Sequence, residues 1–211
     1  MAKLVKQVFT EQIYHLLRND ILSQSIACSQ KLNIRELQAK YGVSGSPVRE
    51  AISRLHQEGL VEYLPNIGTK VIEFTSDDVV ELQEMYSSLD CSALKLAMKK
   101  ADFTVIADEL FSHIEQQKQD PTVSQHFHDT FYKFADNTRL QKSWEHLAAQ
   151  LEIIHTIYAN QLTSLGFPYL EIQDHLSIYQ AVAANDLSTA LNCIEDHHAN
   201  VLKLLLTCCK K

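Results

Sequence analysis

The stretch "YGVSGSPVREAISRLHQEGLVEYLPNIGTKV", residues 41–71, carries its own punctuation. Ser44 is a natural helix N-cap and Pro47 is tolerated in a first turn. Val48, Ala51, Ile52 and Leu55 then form an apolar stripe that Gly59 ends. Just upstream, "NIRELQAKYG" (33–42) turns Ile34, Leu37 and Ala39 inward and stops at Gly42, a residue suited to a left-handed C-terminal cap. Two short helices joined by a tight turn at "YGVS" have the form of a helix-turn-helix. After Gly59, "LVEYL" and "TKVIEF" alternate like strands on either side of the turn residues "PNIG", which predicts a two-stranded wing. A first helix over "QVFTEQIYHLLRNDIL" (7–22), with Val8, Ile13, Leu16, Leu17 and Ile21 at helical spacing, completes a winged helix.

Such a unit reads DNA because side chains at the start of its second motif helix reach base edges in the major groove while neighbouring elements hold phosphates. On that geometry Ser44, Ser46 and Arg49 point outward at the start of the helix, and Arg35 begins the helix before it. Arg49 has the fork to bind a guanine or a phosphate; Arg35 and Ser46 suit phosphate or base contacts. Arg54, further along, reads either as a phosphate contact or as a solvated charge.

These residues resemble the DNA-binding domain of GntR-family bacterial transcription regulators over roughly residues 8–74. Three departures stand out. Gly45 occupies the place of a base-contacting arginine, "IACSQKL" lacks a Pro-Gly, and the wing reads "NIGT" rather than basic. Loss of one bidentate contact costs about 1–3 kcal/mol of discrimination at one base pair, so the resemblance implies DNA binding with altered specificity. In the wing, Gly68 permits close approach to the backbone, and Asn66 or Thr69 is placed to donate to phosphate or read the minor groove.

The net charge of −7 at first argues against nucleic acid, but its distribution does not. Residues 1–74 hold 9 Lys and Arg against 7 Asp and Glu, and residues 75–211 hold 10 against 19. That break, at "EFTSDD", sets the expected boundary between a DNA-binding domain, 1–74, and a second domain, 75–211. The five cysteines are odd in number and scattered, which predicts free thiols in a reducing compartment. With no apolar run long enough for a membrane span and no leader, the expectation is a cytoplasmic chain without membrane contact.

Beyond Thr75 long stretches repeat at 3.6 residues, which predicts an all-α bundle and, for the whole chain, a mainly α fold. Val79, Leu82, Met85, Leu89, Ala93 and Leu96 run down one face of its first helix. Eight of the ten histidines lie beyond residue 110. His175 shares a stripe with Ile178 and Val182, and His197 shares one with Leu187, Ala190 and Ile194, so both look inward, where an imidazole either hydrogen-bonds or binds a metal. His113, His146, His155 and His198 read as surface or helix-end residues.

The second domain resembles the FCD effector-binding domain of the FadR subfamily, through "SQHFH", "HLSIYQAVAAND" and "ALNCIEDHH". The resemblance implies His128, His175 and His197 as ligands of a divalent metal, zinc or nickel, with Ser124 at the fourth position, where a hydroxyl replaces a carboxylate. Tyr86 stands where relatives place an arginine toward an acidic effector. The whole reading is a ligand-responsive transcription regulator, not an enzyme. It would bind a palindromic operator as a homodimer and answer to a small metabolite, a carboxylate by analogy. The alternatives are metal-dependent hydrolysis by the histidine-rich domain and a regulator with a metal-free, degenerate pocket.

Overall fold

The computed structural model describes residues 2–209, except for the side chains of residues 2–9, Thr122 and Asn160. The inward placement expected of Val8 lies outside the described residues. The chain runs α1 (Ala2–Leu22), α2 (Ile34–Tyr41), α3 (Gly45–Gln57), β1 (Val61–Leu64), β2 (Gly68–Val71), α4 (Ser76–Lys100), α5 (Phe103–Gln119), a 3-10 turn (Pro121–Val123), α6 (Gln125–Ala135), α7 (Thr138–Ser164), α8 (Phe167–Ala183) and α9 (Leu187–Cys209). It forms two compact units. One holds the residues up to Phe74 with Ala148–Ile157, and the other holds Thr75–Leu147 and everything from Tyr158 onward.

In the first unit local chemistry sets each boundary. Asn33 caps α2, its side chain accepting from the Arg35 N–H at 2.9 Å and donating to Glu36 at 2.9 Å. Gly42 ends α2 at φ 66°, a left-handed conformation that costs glycine little, and its N–H bonds back to Gln38. Val48, Ala51, Ile52 and Leu55 of α3 are buried with Ile13, Leu17 and Ile21 of α1, and Ala149 and Ile153 join the same core. Trimming a side chain such as Leu55 to alanine there costs about 2–5 kcal/mol. β1 and β2 pair antiparallel from Val61↔Val71 to Leu64↔Gly68. Two inward expectations fail: Leu16 is 50% exposed, and Ala39 lies on the outside of α2.

In the second unit a capping box opens α4: the Thr75 hydroxyl accepts from the Asp78 N–H, and the Asp78 carboxylate accepts from the Thr75 N–H. The buried face of α4 is not the one its leucines suggest. Val79, Gln83, Tyr86, Asp90, Ala93, Leu94 and Ala97 face inward, while Met85 is 52% exposed and Leu82, Leu89 and Leu96 are only half-buried. The buried face carries glutamine, tyrosine and aspartate because it lines a polar centre among α5, α6, α8 and α9.

Candidate metal centre and nucleic-acid interface

In the first unit Arg35, Ser44, Ser46 and Arg49 are all exposed. Ser44 takes the N-cap backbone conformation, but its side chain makes no capping bond, which leaves the hydroxyl for another partner. Gly45 is covered: a Cβ there would lie 3.1 Å from Arg49 Nη2 and 3.3 Å from its Cζ, so the Arg49 guanidinium occupies the space that a side chain at 45 would take. In the wing, Asn66 is exposed at φ 65° and Gly68 sits at φ 101°.

Two members of the expected DNA-contacting set are placed elsewhere. Thr69 is 7% exposed, because it points to the inner side of β2. Arg54 faces α1: Nη1 donates to Glu11 Oε2 at 2.5 Å, Nη2 to Oε1 at 3.3 Å, and the guanidinium lies 3.7 Å over the Tyr14 ring. It braces α3 on α1.

In the second unit His128, His175 and His197, from α6, α8 and α9, are all buried. Their ring centroids form a nearly equilateral triangle with sides of 5.0, 5.2 and 5.0 Å. His128 Nδ1 meets Asp90 Oδ2 at 2.6 Å, His175 Nδ1 meets Gln117 Oε1 at 2.8 Å, and His197 Nδ1 lies 3.4 Å from Asp174 Oδ2, a pairing without good hydrogen-bond geometry. With Nδ1 turned to an acceptor, Nε2 is the nitrogen left to bind. The Nε2 atoms of His128 and His175 face each other at 3.2 Å. Two nitrogens on one tetrahedral zinc, each about 2.0–2.1 Å from it, are about 3.3 Å apart, so this pair fits a shared cation.

Asp90 on α4 is fully buried, and neither its role nor that of His198 was visible in the sequence pattern. Its Oδ2 accepts from His128 and, at 3.0 Å, from His198 Nε2, while Oδ1 accepts from the Tyr132 hydroxyl at 2.7 Å. Burial pushes this carboxyl up, and the imidazoles of His128 and His198 more than reverse that, holding it well below the usual carboxylate range. His198, expected on a surface, is 3% exposed, because the turn of α9 that carries His197 also faces the centre. His128, His197 and His198 have ligand-capable nitrogens within 4.8 Å of one another. His175 is outside that trio; its Nε2 faces His128 Nε2 at 3.2 Å, while His198 Nε2 meets Asp90. Burial, then the neighbouring imidazoles, holds His175 well below the ordinary imidazole range, and burial lowers His197; neutral rings are the metal-binding form.

Ser124 hydrogen-bonds the Glu171 carboxyl. Tyr86 is 7% exposed, stacked on Trp144 at 4.6 Å and packed against His198 at 4.3 Å between centroids. The missed residues, Gln83, Asp90, Gln117 and Glu171, had one signal: polar side chains at core spacing.

A winged-helix unit with an exposed second motif helix, joined to a helical unit with a buried polar centre, has the architecture of a DNA-binding transcription regulator. Two family models match: "Bacterial regulatory proteins, gntR family" over residues 9–71 and "FCD domain" over residues 81–200. The chain belongs to the GntR regulators that carry an FCD domain. It is 24% identical over 188 residues to the uncharacterized HTH-type transcriptional regulator YdhC of Bacillus subtilis, covering 85% of this chain and 83% of the relative. It is also 24% identical over 190 residues to the HTH-type transcriptional repressor RspR of Escherichia coli, covering 85% and 81%. Its fold is shared with a GntR protein of Rhodococcus sp. RHA1 (TM-score 0.74, 19% identity, 94% of this chain and 97% of that one). It is shared too with E. coli McbR/YncC (TM-score 0.68, 19% identity, 94% and 97%). No described helix is long and apolar enough to cross a membrane.

Proposed function

We propose that this chain is a homodimeric regulator that binds a two-fold operator through Arg35, Ser44, Ser46, Arg49 and the wing tip at Asn66 and Gly68, under the control of a metal and a small molecule in its helical unit. The observation that carries the metal reading is the pair of Nε2 atoms at 3.2 Å, each with its Nδ1 held by an acceptor. His128, His175 and His197 would hold zinc or nickel. When bound, the ion supplies positive charge in an otherwise buried site, the charge an anionic oxygen of an effector would seek. Asp90 keeps His128 oriented, and the Tyr86, Trp144 and His198 rings close the side of α4; among the described residues no lysine or arginine is buried there.

A second copy is supported by the outer face of α4. Leu82, Met85, Leu89, Ser92 and Leu96 repeat at intervals of 3, 4, 3 and 4 residues, and every one is exposed or half-exposed. That is the spacing at which two helices pack side by side. A closed two-fold pair presents two reading helices to half-sites about 34 Å apart.

The test starts from full-length protein purified without added metal. Elemental analysis is expected to find about one zinc or nickel per chain, and His175→Ala to lose it. Duplexes selected from a random library are expected to bind the wild type, and Arg49→Ala to lose that binding with its far-UV spectrum unchanged. A metal-free wild type whose melting ignores added zinc and nickel removes the metal reading; selected DNA bound equally by Arg49→Ala removes the reading-helix assignment.

A further inference from the structure

Gln117 on α5 and Glu171 on α8 lie outside the imidazole triangle, yet they are 0% and 5% exposed. Gln117 uses both ends of its amide. Its Nε2 donates to Glu171 Oε2 at 2.7 Å, and its Oε1 lies 2.8 Å from His175 Nδ1. Glu171 and His175 are four residues apart on one face of α8, so an amide arriving from α5 bridges a single helical turn.

The direction of this chain matters. The Glu171 oxygen facing Gln117 is an acceptor, which turns the NH2 of the amide toward it and the carbonyl toward His175. Ser124 hydrogen-bonds the same carboxyl. A hydroxyl gives or takes a hydrogen bond, so when the carboxyl is neutral Ser124 can take its proton's hydrogen bond and leave the oxygen facing Gln117 an acceptor. His175 therefore keeps its ring proton on Nδ1 and bares Nε2. Asp90 does the same for His128 from the other side of the centre. The two bare nitrogens meet at 3.2 Å, an arrangement satisfied by a cation. With the amide reversed, an NH2 would face Nδ1 and the proton would sit on Nε2. A hydrogen bond from His175 to His128 would then fill the gap without a metal.

We infer that Glu171, acting through Gln117, is a positioning residue that selects the His175 tautomer, and with it whether the centre presents a third metal-binding nitrogen. Ser124 takes part through Glu171 instead of as a ligand. The inference rests on the metal reading above for its consequence, but not for its geometry.

The experiment uses full-length protein labelled with 15N-histidine and stripped with a chelator, with His175 assigned by comparison with His175→Gln. Long-range 1H–15N spectra read the tautomer, and competition with a chromophoric chelator reads zinc affinity. The wild type is expected to hold His175 with its proton on Nδ1. Glu171→Met and Gln117→Met are each expected to move the proton toward Nε2 and to weaken zinc about 10–100-fold. Glu171→Gln, whose carbonyl still accepts from Gln117 and whose NH2 still reaches Ser124, is expected to keep both wild-type properties and serves as the folded control. Both methionine variants retaining the wild-type tautomer overturn the inference, even if affinity falls, since lost affinity alone is what loosened packing would give. A wild type that takes no zinc removes the metal reading, and the spectra still decide the relay.

Discussion

Replacing Asp90 by leucine is the sharpest perturbation of the buried centre. The two side chains branch alike at Cγ, so the change removes an acceptor without opening a cavity, and the bulkier methyl groups add some crowding. Three donors lose their partner: His128 Nδ1 at 2.6 Å, His198 Nε2 at 3.0 Å and the Tyr132 hydroxyl at 2.7 Å. A buried donor left unsatisfied costs about 1–3 kcal/mol, which puts the gross loss at about 3–9 kcal/mol. Burying the leucine returns about 1.5–3 kcal/mol. His198 recovers a little more by moving its proton to Nδ1, 3.4 Å from Gln83 Oε1. The net expectation is about 3–5 kcal/mol of destabilisation, in line with removal of one partner from a buried charge pair. In a chain of this length that lowers the melting temperature by about 6–20 °C. Urea and thermal denaturation of chelator-treated protein, followed by circular dichroism, would measure it. His198→Leu in the Asp90→Leu background should cost less than His198→Leu alone, because the imidazole has already lost its acceptor. A variant Asp90→Leu within 1 kcal/mol of the wild type would refute the reasoning, by showing that the three hydrogen bonds merely offset the cost of burying the carboxylate.

Two further outcomes follow from elements described above. Burial pushes the Glu171 carboxyl up to about 8 from an ordinary 4.5, so the fold favours its protonated form. The stability this contributes is complete below about pH 4.5 and is lost as pH rises through 8. Glu171→Gln, neutral throughout, should therefore gain on the wild type across that window, and parallel stability curves for the two proteins between pH 5 and 8 would contradict the assignment. Leu89→Glu, in the middle of the outer seam of α4, should convert a dimer to a monomer by light scattering and weaken binding to a two-site DNA duplex far more than to a single half-site; an unchanged mass would place the dimer contact elsewhere.

The N-terminal unit was legible because its boundaries are written in residues with strong local preferences. Gly42 takes the left-handed cap, Ser44 the extended N-cap conformation and Pro47 the first turn, each for reasons that need no distant partner. The helices of the second unit were legible from periodicity, but the orientation of α4 was not. Large aliphatic side chains dominate any reading of a hydrophobic face, and on α4 Leu82, Met85, Leu89 and Leu96 lie toward the outside, while the buried face sets Gln83, Tyr86 and Asp90 beside Val79 and Leu94. The histidine triangle came through resemblance, not through spacing, since spacing alone leaves a core imidazole and a ligand indistinguishable. The acceptors around it were hidden for a related reason: a buried polar residue is recognised by what it pairs with, and pairings such as Asp90 with His128 or Gln117 with Glu171 join residues 38 and 54 apart in the chain. Thr69 and Arg54 point elsewhere than the sequence suggested, because strand parity turns Thr69 inward and the packing of α3 on α1 pairs Arg54 with Glu11.

Helix α4 has two faces with opposite loyalties. Asp90 belongs to the buried centre, and its chain neighbour Leu89 belongs to the outer seam. In a rigid helix neither residue turns without the other. With the outer seam as the proposed dimer contact, a change in charge among the imidazoles that pulls on Asp90 would roll α4 about its axis, and the same roll would offer a second copy a different set of side chains. On the function proposed above, the dimer contact would be the far side of the sensor itself, and regulation would need no separate wire between the two: one rigid body would serve as detector and as hinge pin.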